Sequence, residues 1–257
     1  MEIIEKLPTS NIINDYQSSW TEDAERLILY ADIMGFKERV LTNRHQELKE
    51  SLLDFIKVFQ RKMQPLLTGD YLRYVQFSDS IIIVANGIDS KMFNIITKAA
   101  ICLIHGAMSH GFPLKGVLAK GVFTFDETND LYFGKPLVDA YVLHDEIYYY
   151  GIVVHHSAES LVKKYLCLGL PYCKEQIPLK KGRTAHFHLS WQYFYENLST
   201  GKLSSKAEKW LSKIEETVSG APRIYVDNTR EVIYKDRYVP KKKSKELESG
   251  KPTMGVE

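Results

Sequence analysis

The sequence predicts an α+β fold: an antiparallel sheet with helices on one face, in the ferredoxin-like order β-α-β-β-α-β, followed by a C-terminal α/β extension. Three observations carry this reading. A strongly apolar run, RLILYADI at 26–33, leads into a long segment whose apolar residues recur at helical spacing. Two β-rich runs, YLRYVQF and IIIVAN, flank the polar break Ser78-Asp79-Ser80 and read as a hairpin. An apolar stretch over 90–110 then precedes a further β-rich segment, FPLKGVLAKGVFTF at 112–125.

Each element follows from its pattern. Residues 1–20 read as a polar extension. The 26–33 run is apolar without alternation, which marks a strand buried on both faces. Between 37 and 66, Leu48, Leu52, Phe55, Phe59 and Met63 form the stripe of one long amphipathic helix, with no proline before Pro65. Gly69-Asp70 punctuates it. The helix over 90–110 is apolar on most sides and therefore buried. Gly116 and Gly121 lie inside the 112–125 strand, DETND is a turn, and LYFG is a short returning strand. Leu137 to Tyr149 reads as a helix, GIVVHH at 151–156 as a strand, and Ser157 begins another helix. Residues 175–190 read as a hairpin around Lys180–Arg183, and 190–218 as helix that resumes after Gly201. The expected organisation is a core over 21–160, an extension packed on it over 161–238, and a disordered polar tail over 239–257 that carries KKKSK.

Lys plus Arg number 34 and Asp plus Glu 32, a net charge of +2, so no broad basic field points to nucleic acid. Three cysteines without a CxxC suggest neither a disulfide framework nor a zinc site. The N-terminus lacks the basic start and apolar stretch of a signal peptide. No run of 18 apolar residues occurs, so no membrane span is expected and the cytoplasm is the expected location.

In a sheet of this order the first strand and the hairpin lie side by side. Asp32, near the end of the first strand, and Asp79, at the hairpin turn, are then expected to come together. Two adjacent carboxylates repel unless a cation lies between them. Mg²⁺ suits such a pair, because it takes few protein carboxylates and fills its shell with water and substrate phosphates. Two such ions can activate a hydroxyl and neutralise a triphosphate. Gly35 lets the backbone after Asp32 turn tightly beside a ligand. The helix that follows offers unpaired N–H groups to phosphate. Either acid alone reads more simply as a helix cap or a turn residue. The pair, in this strand order, reverses that preference.

These residues resemble a known family. Asp-x-x-Gly-Phe at Asp32–Phe36, Phe-Ser-Asp-Ser at Phe77–Ser80 and Gly-x-x-Leu-Val-x-Ala-Tyr-x-Leu at Gly134–Leu143, in this order, resemble class III nucleotidyl cyclases. The nearest subgroup is the bacterial Pycsar-type pyrimidine cyclases. PLKGVLAKG at 113–121 resembles their Arg-Gly-x-Ile-x-x-Gly strand, with Lys115 in place of Arg. The resemblance covers about residues 26–160. It implies a two-metal Mg²⁺ or Mn²⁺ site at Asp32, Ile33 and Asp79, with Ile33, Met34, Gly35 and Phe36 beside the nucleotide. It also implies UTP or CTP as substrate, with attack of the ribose 3′-hydroxyl on the α-phosphorus to give 3′,5′-cyclic UMP or CMP and pyrophosphate. A homodimer with the site at its interface is implied as well, as is a separate cyclic-nucleotide effector that reads the product in antiphage defence.

One departure from the family matters. Adenylyl and guanylyl cyclases carry Asn and Arg four residues apart on the helix after Tyr-x-Gly. The corresponding residues are Val138 and Val142, and neither can donate a hydrogen bond to phosphate. Either another cation does this work, from among Arg73, Lys115 and Lys135, or the domain is a catalytically silent one that binds a nucleotide or a partner. Arg73, Val75, Phe77 and Asp79 alternate onto one strand face, so Arg73 is expected to point towards a substrate at Asp79. The purine cyclases' base-reading residue, four before the hairpin Asp, is Val75, which cannot read a purine edge. Tyr74 and Arg73 are the nearest groups to narrow a base pocket.

The remaining features read as structural. The His pairs at 155–156 and 186–188 lack a third metal ligand at useful spacing. The tyrosines at 132, 141 and 148–150 suit packing or a dimer contact better than base stacking. Cys102 reads as inert core. Ser78 and Ser80 have no His in a triad-like context.

Overall fold

The structure, a computed structural model, describes residues 20, 23–68, 70–166, 169–194 and 204–236. The extension before Trp20, the tail at 239–257 and Cys167 lie outside the described residues.

The first strand, β1 (Asp23–Ile33), is central. Leu27, Leu29, Ala31 and Ile33 enter the main core on one face, while Ile28 and Tyr30 pack on the other, as an unbroken apolar run requires. β1 pairs antiparallel with β3 (Ser80–Ala85) on one side and β4 (Leu114–Asp126) on the other, and β2 (Leu72–Phe77) flanks β3. The order β2-β3-β1-β4 is the ferredoxin-like arrangement that the sequence predicts. Its two crossovers are α2 (His45–Thr68) and α3 (Ser90–Ser109), whose apolar faces join Leu27, Leu29 and Ala31 in one core.

The long helix expected over 37–66 is two helices. A short α1 (Phe36–Thr42) ends at Asn43, which turns to an extended conformation before α2 begins. Thr42 Oγ1 donates to the Glu38 carbonyl at 2.7 Å and Asn43 Nδ2 to the Arg39 carbonyl at 2.9 Å, local bonds that compete with the helical ladder. Pro65 does not end α2, which runs on to Thr68. By length and composition α3 could cross a membrane, although it holds no unbroken run of 18 apolar residues. Every side chain from Met92 to Met108 except Lys98 is buried in the protein.

Beyond this core the chain departs from a wholly antiparallel sheet with helices on one face. After β5 (Leu131–Phe133), which pairs with the far end of β4, helix α4 (Lys135–Glu146) crosses the sheet on the side opposite α2 and α3. That return crossing delivers β6 (Ile152–Val154) parallel to β4, so the complete sheet is mixed. α4 starts two residues earlier than predicted, with Pro136 in its first turn, and Ile147 leaves it in an extended conformation. Helix α5 (His156–Tyr165) follows, with its start capped by His155. The hairpin of β7 (Tyr172–Pro178) and β8 (Arg183–Leu189) joins the same sheet through Val153 and His188.

The described residues of the predicted 190–218 helix form one 3₁₀ turn, Trp191–Phe194, and α6 (Ser205–Glu215); 195–203 lie outside the described residues. A further helix, α7 (Ala221–Lys235), lies past the predicted helical stretch. Asn228 Nδ2 donates to the Tyr148 carbonyl at 2.7 Å, and the Tyr150 N–H donates to Thr229 Oγ1 at 2.8 Å. At the other end, the fully buried Asp236 accepts from Ser190 Oγ at 2.5 Å and stands 2.8 Å from His188 Nε2.

Candidate active site

The end of β1, the β2–β3 turn and the start of β4 meet at one end of the sheet. Asp32 lies opposite Ser80 on β3 and opposite Lys115 on β4. Directly opposed residues face the same side, so all three side chains share the face that carries α4. The Ile33 N–H donates to the Asp79 carbonyl at 3.1 Å and the Met34 N–H to the Pro113 carbonyl at 2.8 Å, which ties the turn and the β4 entry to β1. Ser78 takes a left-handed conformation, φ 56°, in the turn that presents Asp79.

Ser80 Oγ donates to Asp32 Oδ1 at 3.1 Å. Burial pushes the Asp32 carboxyl up to about 6, and the negative charge of Asp79 adds to the rise; the Ser80 bond and the Lys115 charge oppose it. Lys115 is buried, and its Nζ donates to the Ile147 carbonyl at 3.3 Å. Burial lowers its ammonium to about 8, against the pull of Asp145 and Asp32, so the charged form still predominates at neutral pH. His144, buried beside them, is driven down to about 3 by burial and then by the Lys115 charge, so its ring is neutral.

Asp32, Asp79, Lys115 and the 33–36 backbone are therefore brought together. Gly35 has φ 72°, and no atom lies within 4 Å of where a side chain would begin, so the backbone there borders open space. The Ile33 side chain is in the core, and Met34 and Phe36 are half-buried against it. All three can meet a ligand through their backbone rather than their side chains. The helix after Gly35 has only seven residues, in place of the long one expected there.

Two predicted residues are not at this end within the chain. Arg73 is on the expected face but at the far end of β2, where it pairs with Asp70 at 2.5 Å and Glu127 at 3.2 Å and lies over the Trp20 ring. Four residues of strand, about 13 Å, and then the turn separate it from Asp79. Tyr74 points to the opposite face, where it packs on Phe59 and bonds to Gln76. Strand alternation gives the face but not the end of the strand, which is why it misplaced Arg73. Lys135 is exposed and pairs with Asp139 at 2.6 Å. Val138 and Val142 are 62% and 59% exposed on the outer side of α4. Tyr30, Ser80 and His144 were not singled out as site residues. The signal for Tyr30 was available: it lies two residues before Asp32 and so on the same face.

Asp32 and Asp79 supply hard carboxylate oxygens that repel each other without a cation, which suits Mg²⁺ or Mn²⁺. Among the described residues, no group of three or more His, Cys, Asp or Glu side chains is placed to hold a metal. A cation at Asp32 and Asp79 would complete its shell with water, backbone oxygen and phosphate. His155 Nδ1 instead caps α5 by accepting from the Ser157 N–H at 3.4 Å, and His186 stands 3.9 Å from Glu159.

No protein-family model matches the sequence, and no curated protein matches it. Solved structures do match in fold. The catalytic core of a rhodopsin-guanylyl cyclase with converted specificity, in complex with ATPαS, superposes with a TM-score of 0.51 at 12% identity over 65% of this chain and 98% of that one. A guanylate cyclase domain from Catenaria anguillulae, in complex with GTP, gives 0.51 at 11% identity over 66% and 98%. A monomeric double mutant of a guanylyl cyclase domain from the aquatic fungus Blastocladiella emersonii gives 0.52 at 13% identity over 66% and 98%. About two thirds of this chain shares its fold with these guanylyl cyclase domains, the class III cyclase fold that the motifs suggested, and in this chain Asp32 and Asp79 stand where β1 and the β2–β3 turn meet.

Proposed function

We propose that this protein is a pyrimidine nucleotide cyclase that converts UTP to 3′,5′-cyclic UMP and pyrophosphate as a cytoplasmic second messenger in antiphage defence. The observation that carries the reading is the meeting of Asp32 and Asp79 at one sheet end within a cyclase fold. In the reaction the ribose 3′-oxygen bonds to the α-phosphorus as the bond from that phosphorus to the pyrophosphate oxygen breaks, and the hydroxyl proton is lost to water. Bound Mg²⁺ or Mn²⁺ would supply charge neutralisation and activation of the hydroxyl. Asp32 and Asp79 hold that charge in place, and the open backbone at Gly35 admits phosphate. Lys115, charged and fixed beside Asp32, supplies a cation where the family's Asn and Arg are replaced by Val138 and Val142. Work of this kind is positioning and electrostatics.

The pyrimidine assignment is supported by Val75, which packs among Ile28, Val84 and Phe123 and offers a purine nothing to bond to. CTP to cyclic CMP is the close variant. The exposed Val138, Tyr141 and Val142 on α4, and Phe77 on the same side of the sheet, support a homodimer that covers this face, with the site at the interface. The product would be read by a separate effector. A second reading, a silent domain that binds a nucleotide or a partner, is favoured by Val138 and Val142.

The test is incubation of the purified protein with each of the four ribonucleoside triphosphates and Mn²⁺. Cyclic UMP is the expected product, and Asp32→Ala and Asp79→Ala should each abolish it. No cyclic product from any triphosphate sinks the enzyme reading in favour of the silent domain.

A further inference from the structure

Asp32 is held by more than its strand. Ser80 has one hydroxyl proton and gives it to Asp32 Oδ1 at 3.1 Å. A hydroxyl that has donated its proton can only accept elsewhere. The Tyr30 hydroxyl, 3.1 Å from Ser80 Oγ, is therefore the donor of the second bond. The Tyr30 ring is in turn gripped by α4: Tyr141 and His144 meet it edge-on, with centroids 5.9 and 5.0 Å away. Only 8% of Tyr30 is exposed, so its hydroxyl has little freedom.

We propose that Tyr30 and Ser80 form a relay that fixes the Asp32 carboxylate in one orientation, with Oδ1 engaged and Oδ2 presented to a divalent cation. Both are positioning residues of the metal site, and through them α4 sets the geometry of a ligand it does not itself carry. The inference rests on the reading of Asp32 and Asp79 as cation ligands, but not on the identity of the nucleotide or on turnover. A ligating carboxylate that loses its supporting hydrogen bond must be ordered at the moment of binding, and removing such partners typically weakens metal affinity about 10–100-fold.

The experiment titrates Mn²⁺ alone into the purified protein and follows the free ion by electron paramagnetic resonance. Ser80→Ala is expected to weaken binding about tenfold or more. Tyr30→Phe should weaken it in the same direction by a smaller factor, and Ser80→Thr, which keeps a hydroxyl, should restore it. In an Asp32→Ala background, Ser80→Ala should change nothing further. If Ser80→Ala does not fold, Tyr30→Phe, which removes a single oxygen, carries the test. Wild-type Mn²⁺ affinity in the folded variants overturns the relay and leaves the metal reading standing. A wild-type protein that binds no Mn²⁺ overturns both.

Discussion

Asp32 is poised between two demands. It ends an apolar strand, and half-burial beside Asp79 raises its carboxyl to about 6, so the protein without metal holds a proton there more tightly than the unfolded chain does. A raised folded-state value makes stability fall as pH rises from about 4 to about 6, because the unfolded chain gives up the proton first. Asp32→Asn removes that dependence. In thermal melts without metal the variant should exceed wild type at pH 8 and lose its advantage at pH 4, while Mn²⁺ should raise the melting temperature of wild type only. A wild-type melting temperature that does not fall between pH 4 and 6 relative to the variant counts against this account of the carboxyl. The sequence pointed to both acids because strand order places them together. It put Tyr30 on the Asp32 face and Ser80 in the hairpin motif without giving either a role, because the hydroxyl that bonds the carboxylate lies 48 residues from it in sequence.

At the scale of elements, α4 is the organising piece. Its start lies so close to β4 that a Cβ on Gly134 would stand 2.5 Å from the Val122 carbonyl oxygen and 2.9 Å from the Phe123 Cα. Backbone atoms cannot swing aside as a side chain end can. Gly134→Ala should therefore cost about 1–3 kcal/mol in urea unfolding, the range for forced overpacking, and a change below about 0.5 kcal/mol would show that α4 can shift freely. Periodicity read this helix, the hairpin and α3 well, because each has one apolar pattern. It missed the break at Asn43, since no proline or glycine marks it and the local bonds of Thr42 and Asn43 leave no trace in a periodicity. It also placed helices on one face only, because a helix's apolar stripe does not say which side of a sheet it will cover.

For the whole molecule, the face of α4 leaves Val138, Tyr141 and Val142 more than half exposed, with Phe77 82% exposed on the same side of the sheet. A second copy of the chain is the proposed cover. Sedimentation velocity should find a dimer, and Val142→Asp or Phe77→Asp should convert it to a folded monomer with a wild-type circular dichroism spectrum. A monomeric wild type would refute the homodimer. Because Tyr141 also touches Tyr30, the same surface borders the relay to Asp32.

The sequence by itself determined the ferredoxin-like core and the candidate carboxylates. A short apolar run rich in β-formers reads as a strand buried on both faces, an apolar stripe needs a surface to cover it, and the hairpin break places Asp79 at a turn. The spacing along β2 itself puts Arg73 away from Asp79 and Tyr74 on the opposite face, and the tertiary structure decided the rest. It alone joined the later strands into one mixed sheet and set Lys115, Ser80 and Tyr30 around Asp32. Those are matters of register between strands distant in sequence, and register is settled by the packing of the whole sheet rather than by any pattern within one strand.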